Sequence, residues 1–349
     1  MTTTAPRIGA LAPGPRDSIA DVTGVTVGHC TLADGPIQTG VTVVRPHAGD
    51  AFRDTVPAAA VVINGFGKSV GLMQVNELGV LETPVALTNT FAVGTVATAQ
   101  IRAVIGANPE VGRTAATVNP LVCECNDGYL NDLQALAVEA AHYDAALHAA
   151  AAEFAQGAVG AGRGMSCFGV KGGIGSASRI ARTGAHHWLV GALVLANFGR
   201  PQTLTIAGRP LGSRLVERLA AGVTAPRDQG SIIVVLATDA PLDHRQLRRV
   251  ATRAAAGLAR TGSNFGHGSG DIALAFSTAQ TIPRASPAAI WTLRVLDEAR
   301  LDALFDAAAE ATEQAIVHAL FAAESVTGFA GHTREALTAL LPDWPELLR

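Results

Sequence analysis

The chain has 349 residues and is 48% hydrophobic, enough for one large domain or two ordinary ones and too apolar for a disordered or fibrous chain. Charged residues make up 16%, and 26 basic against 29 acidic side chains give a net charge of −3 with no basic block, which argues against a nucleic-acid partner. No apolar run reaches the roughly 18 residues of a membrane span, and the start Met-Thr-Thr-Thr-Ala-Pro-Arg-Ile lacks a charged leader followed by an apolar segment, so no membrane association and a cytoplasmic location are expected.

Residues 1–17 are rich in Pro, Gly and Thr and read as a loose arm. Ser18–His29 and Gln38–Pro46 carry β-branched alternation punctuated by glycine, which predicts strands. His29 is read as structural in preference to a site residue, since a lone histidine usually is. Ala58–Gly67 predicts a fully apolar strand ending in Asn-Gly-Phe-Gly, with neither the lysine-threonine pair of a phosphate loop nor a complete GxGxxG. Leu72–Gly79 reads as a short helix closed by a glycine cap. Pro84–Thr90 reads as a buried strand, and Val93 to about Ile105 as a helix.

The stretch 117–132 runs from an apolar strand into Glu124, Asn126, Asp127, Tyr129, Asn131 and Asp132. Acids and amides concentrated at a strand exit suit either a binding site or an Asx-rich turn. The four cysteines are Cys30, Cys123, Cys125 and Cys167. Cys123 and Cys125, one residue apart in a strand, are expected on opposite faces. That is not zinc-ligand spacing, so buried reduced thiols and no metal are expected.

His142–Ala155 is alanine-rich and reads as a helix. The glycine-rich run 157–179 could form an anion-binding nest, but a strand follows it where a nucleotide loop needs a helix. Lys171 within it reads as a solvated charge in preference to a site group. His187–Asn197 is a long core strand ending in an amide. A polar link near Ala225–Gly230 leads to the strand Ser231–Leu242 and then to the helix His244–Arg260.

Next comes Arg260-Thr-Gly-Ser-Asn-Phe-Gly-His-Gly-Ser-Gly-Asp-Ile-Ala-Leu-Ala-Phe276, a flexible polar loop feeding a core strand. Ser263, His267 and Asp271 stand in the order of a triad, but triads are assembled from distant segments and not from one loop. Ile290–Leu296 predicts a further strand, and Glu298–Glu324 a long amphipathic helix. Glu310 and Glu313 lie on one helical face, read as exposed in preference to paired catalytic carboxylates.

The loop 260–276 resembles the self-cleavage site of the DmpA-type peptidases, the L-aminopeptidase D-esterase/amidases with the β-aminopeptidases. The resemblance runs from about Ser18 to Gly331. It includes "I-A-D-V-T-G-V-T-V-G-H", "E-C-N-D-G-Y-L-N-D", "K-G-G-I-G-S-A-S-R" and "A-T-D-A-P-L". It implies one α/β domain over 1–349, a layered αββα sandwich of the kind shared with ornithine acetyltransferase and like the N-terminal-nucleophile hydrolases. It implies self-cleavage between Gly262 and Ser263 into pieces 1–262 and 263–349, with Ser263 as the nucleophile.

By the same resemblance Asn197 stabilises the oxyanion and Glu124 meets the substrate's free amino group. Tyr129 or Asn126 orients substrate, and Asn64 lines the cleft. Two departures stand out. Val170-Lys171 replaces a Phe-Lys pair, and Asp297-Glu298-Ala-Arg300 lacks the family's supporting serine, leaving Glu298 as the acidic support of the nucleophile. No cofactor is implied. The expected partners are a small peptide, amide or ester substrate, β-amino-acid compounds included, and further copies in a homo-oligomer. An acyltransferase of the ornithine acetyltransferase kind and a non-catalytic amine-binding relative are the alternatives.

Overall fold

Alternating β-branched residues on Thr26–Asp34 (β1) and Ile37–Arg45 (β2) build an antiparallel hairpin in the computed structural model, which describes residues 5–219, 230–285 and 288–349. The chain continues through Asp54–Gly65 (β3), Leu72–Leu78 (α1), Val85–Asn89 (β4), Val93–Ala107 (α2) and Leu121–Cys125 (β5). Then come Ala140–His148 (α3), Gly173–Thr183 (β6), His186–Asn197 (β7), Ser231–Thr238 (β8), His244–Arg260 (α4), Gly270–Ser277 (β9) and Asp302–Ala322 (α5). One sheet has the order β1-β2-β4-β5. The path of the other runs Ile282–Pro283, β3, β9, β8, β7, β6, with β9 parallel to β8 and antiparallel to β3.

The apolar residues sort into three main cores, and these define four layers. Leu193 and Leu195 of β7 and Ile233 and Val235 of β8 face Val44, Leu87, Leu121 and Cys123 of the smaller sheet. The alternate residues Ala192, Val194, Ile232 and Val234 face Leu247, Val250 and Leu258 of α4 and Ala308, Ala315 and Ala319 of α5. Val41, Val43 and Val122 face α2 and α3 on the other side. Strands buried on both faces must be apolar at every position, which is why β7 and β8 read as continuous hydrophobic runs. Gly175 lets α5 lie directly on β6, since a Cβ there would stand 1.9 Å from the Ala315 carbonyl oxygen. The layered sandwich is therefore the observed architecture.

Several expectations are corrected. The arm is not loose from residue 5 onward. Ile8 is buried, its N–H donates to Gln314 Oε1 at 2.7 Å, and its carbonyl accepts from Arg179. Ser18 begins no strand; it caps the 3-10 turn Ile19–Asp21, and the strand starts at Thr26. Cys123 and Cys125 share the inter-sheet face, because the strand period of two puts residues i and i+2 on one side. The helix expected over His142–Ala155 spans Ala140–His148.

Ile290–Leu296 forms no strand: the Gln280 amide bonds both backbone groups of Arg294, and Ile290 is 85% exposed. The long helix begins at Asp302. Glu310 and Glu313 are not on an exposed face. Glu310 accepts from the N–H groups of Ala10 and Leu11 and pairs with the buried Arg179, while Glu313 is buried near Arg260. The polar link called near Ala225–Gly230 lies outside the described residues except for Gly230. Among the described residues no helix is long and apolar enough to cross a membrane.

Candidate active site

The register of the larger sheet brings Asn197, Ser231, Gly270 and Gly65 to one edge, as successive partners across β7, β8, β9 and β3. The loop between α4 and β9 lies at this edge. The sequence Asp-His-Arg-Gln starts α4 with a reciprocal capping pair between Asp243 and Gln246, and its apolar face at Leu247, Val250, Ala251, Ala254 and Leu258 follows helical spacing into the core. α4 ends at Thr261, whose hydroxyl donates to Leu258 O at 2.8 Å and whose carbonyl accepts from the Thr205 N–H.

Gly262 follows with φ +101°, and a Cβ there would stand 1.8 Å from the Thr203 carbonyl oxygen. Only glycine fits that place. Ser263 is buried, and its Oγ accepts from the Phe265 N–H at 3.3 Å. Phe265 itself sits at φ +52°, a left-handed conformation costing a non-glycine residue about 1–2 kcal/mol. Asn64 fastens the far side of the loop, donating from Nδ2 to the carbonyls of Gly266, at 3.0 Å, and Ser269. It braces the loop through these bonds. Asp271 Oδ1 accepts from Ser269 Oγ at 2.6 Å, while the His267 ring leans on Phe66, so Ser263, His267 and Asp271 form no relay.

Asn197 is buried at the end of β7. Its Oδ1 accepts from the Ser166 N–H at 2.8 Å, and its Nδ2 donates to the Asn126 carbonyl at 3.0 Å. Those two bonds fix the amide plane and leave the second Nδ2 hydrogen for a ligand. Asn126 contributes its backbone, while its side chain caps the turn by accepting from the Gly128 N–H. Glu124 is buried, and its Oε1 accepts from the Lys68 N–H at 2.9 Å. Its Oε2 has no hydrogen-bond partner among the described residues, so a carboxylate oxygen waits in the interior for a donor. Tyr129 is half-exposed beside it in sequence, its ring stacked on His332 at 4.5 Å and covered by the Arg334 guanidinium at 3.6 Å.

Glu298 is not brought to this site. It lies on the surface against Arg245, Gln246 and Arg249, in the first turns of α4, whereas Ser263 follows the last turn. A helix of that length spans about 25 Å. The support role assigned to Glu298 is therefore corrected: its neighbours are the helix arginines. His29 is structural, its ring nitrogens bonded to Thr42 Oγ1 and the Ala155 carbonyl, and burial pulls its pKa down to about 4.

Lys171 is not solvated. It is fully buried, and Nζ donates to the carbonyls of Gly162, Met165 and Gly172 at 2.7–2.9 Å. Burial, with the nearby Arg163 charge, pushes it well below the usual lysine range, and Asp127 and Glu324 oppose that. The clamp holds the glycine-rich segment that presents the Ser166 N–H to Asn197. Asp127, below this segment, is pushed up to about 7 by burial. Sequence reading missed Ser166 and Arg334 and misplaced Lys171. A lone charge among glycines and apolar residues was the available sign that Lys171 is buried.

Among the described residues no cluster of His, Cys, Asp and Glu is placed to hold a metal. A cavity of about 520 Å³ between the segment 45–51, α2 and α3 shares no lining residue with the site.

The chain is 39% identical over 347 residues to the β-peptidyl aminopeptidase BapA of Sphingosinicella microcystinivorans, covering 93% of this chain and 86% of that protein. The crystal structure of the PH0078 protein from Pyrococcus horikoshii OT3 superposes with a TM-score of 0.93 at 45% identity, covering 98% of this chain and 97% of that one. The L-aminopeptidase D-Ala-esterase/amidase of Ochrobactrum anthropi is described as a prototype of the serine aminopeptidases and a new variant of the Ntn hydrolase fold. It superposes with a TM-score of 0.87 at 35% identity over 98% of each chain. A model of peptidase family S58 covers residues 17–334, and the chain belongs to that family of aminopeptidases.

Proposed function

We propose that the chain cleaves itself between Gly262 and Ser263 and then works as an N-terminal-serine aminopeptidase on short peptides, amides or esters with a free amino group, β-peptides included. The observation that carries this reading is the Gly262–Ser263 bond. It holds a glycine that admits no side chain and a buried serine hydroxyl, on the same sheet edge as Asn197. The name of BapA supports the choice of β-peptides.

In the precursor, Ser263 Oγ attacks the Gly262 carbonyl carbon, the peptide C–N bond breaks, and the nitrogen takes up the hydroxyl proton. The acyl group now sits on oxygen as an ester, and water hydrolyses it. The new α-amine of Ser263, with a reference pKa of about 7.7–8.0, then serves as base for its own hydroxyl. Oγ attacks the substrate carbonyl, and the free Nδ2 hydrogen of Asn197 stabilises the oxyanion. The leaving amine takes the proton, and water releases the acyl group from the serine. Glu124 Oε2 receives the substrate ammonium, a charge-assisted bond to an oxygen that otherwise has no partner.

Four free thiols, three of them buried, suit a reducing compartment, and the reading includes a cytoplasmic homo-oligomer of processed protomers. Intact mass spectrometry of the wild type beside Ser263→Ala is the test. Two masses, for 1–262 and 263–349, are expected in the wild type and one full-length mass in the variant. A full-length mass in both would leave an uncut amine-binding protein as the better reading.

A further inference from the structure

Arg334 is a buried cation at the edge of the site. It is 5% exposed, and among the described residues it forms no ion pair. Arg179, buried as deeply, shows the contrast: it pairs with Asp17 at 3.0 Å and Glu310 at 3.5 Å. A guanidinium stays charged at neutral pH, so a cation removed from water without a counter-charge is costly unless a ligand supplies one. Arg334 ends a short hairpin, Val326–Thr327 with Thr333–Arg334, that folds back on the turn after Glu124. The Phe329 N–H donates to the Leu130 carbonyl at 2.7 Å, and His332 Nδ1 bonds the Tyr129 carbonyl at 2.9 Å.

The guanidinium carbon lies over the Tyr129 ring, 3.6 Å from its centroid, and Nε donates to Ser166 Oγ at 3.2 Å. Ser166 is the residue whose N–H holds Asn197. A line of hydrogen bonds thus runs from the carbonyl of Asn126, two residues after Glu124, through Asn197 and Ser166 to Arg334. Near one end lies the Glu124 oxygen that has no partner among the described residues, and at the other a cation whose neighbours here, the Ser166 hydroxyl and the Tyr129 side chain, bring no counter-charge.

We propose that Arg334 receives the free C-terminal carboxylate of the substrate, so that the enzyme selects very short peptides whose two charged ends both lie in the cleft. The inference rests on the aminopeptidase reading of the same site. A planar guanidinium backed by an aromatic ring is suited to a carboxylate, which it can hold through two parallel N–H bonds. Esters and amides at the C terminus lack that charge and are the poorer substrates.

The test compares β-alanyl-alanine with β-alanyl-alaninamide on the processed wild type, Arg334→Lys and Arg334→Gln. The wild type is expected to favour the acid by about tenfold or more in kcat/KM, mostly through KM. The acid-to-amide ratio should fall towards one in Arg334→Gln and be partly kept in Arg334→Lys. A wild type indifferent to the carboxylate, or an Arg334→Gln variant in which both substrates decline equally, overturns the proposal; the second result would make Arg334 a support for Tyr129 only. Absence of turnover of either dipeptide by the wild type would instead sink the aminopeptidase reading. Calorimetric titration of the same two dipeptides would then decide the role of Arg334: acid-selective binding lost in Arg334→Gln supports it, and equal binding refutes it.

Discussion

Asn197 and Glu124 differ in what each has left to give, and that difference separates their effects on kinetics. Asn197 spends its Oδ1 and one Nδ2 hydrogen on Ser166 and Asn126, keeping one donor in a fixed direction. A donor aimed at a charge that develops only during reaction stabilises the transition state. Asn197→Ala should therefore lower kcat about 10²–10³-fold with little change in KM. In the proposed reading Glu124 Oε2, which has no partner among the described residues, meets a charge the substrate already carries, so Glu124→Gln should raise KM for substrates with a free amine and leave kcat less affected. Steady-state kinetics on one β-alanyl substrate reads both, and a KM effect for Asn197→Ala or a pure kcat effect for Glu124→Gln would reverse the assignment. At this scale the sequence was legible in placement: Asn197 and Glu124 were expected at strand ends, and both lie there, buried, at the end of β7 and in β5. It was not legible for Asn64 or Asn126, because their contribution is a bond to a loop carbonyl and a backbone carbonyl, and neither leaves a mark on residue type. Glu298 misled for a related reason: its place in the chain does not say which end of α4 it packs against.

Asn197, Glu124 and Asn64 sit on β7, β5 and β3, but the segments packed around them, a helix end, a glycine-rich run and a short hairpin, carry no long regular period. The strands and α4 were readable because a two-fold or helical period repeats over many residues, and chain order supplied the caps. The segment 160–172 has no period; Lys171 orders it from inside, through three carbonyls. Replacing Lys171 with Met keeps the stem and deletes the charge, leaving those acceptors buried without partners. The expected loss of stability is about 3–5 kcal/mol, the scale for breaking a buried charged network. Chemical denaturation of Lys171→Met beside the wild type measures it, and a loss under about 1 kcal/mol would show that the segment orders itself. The stretch Ile290–Leu296 shows the opposite failure. Its composition suits a strand, but the backbone of Arg294 is satisfied by one glutamine side chain, so no ladder is needed there.

For the molecule as a whole, the place of β9 outweighs any single contact. It lies inside the larger sheet between β3 and β8, bonded on both edges to strands from the other side of Gly262–Ser263. α5, also downstream of that bond, covers β6 and β7. The layered sandwich was expected from the family resemblance, and the continuous apolar runs on β7 and β8 agree with it, since they require cover on both faces. The order of strands was not, because pairing between distant segments leaves no local period. The proposed cleavage at Ser263 leaves the pairing of β9 with β3 and β8 available to the folded molecule but changes the unfolded state. The uncut chain unfolds to one tethered coil; the cut one unfolds to two coils that drift apart, which adds entropy to the unfolded side and makes refolding a second-order encounter. The denaturation midpoint of the processed protein should rise with protein concentration, while that of Ser263→Ala should not. Equal, concentration-independent midpoints would mean that the two pieces never part. On the proposed reading activation is also a thermodynamic downgrade: a cut molecule depends on the slowness of its unfolding, and once melted at low concentration it has no short way home.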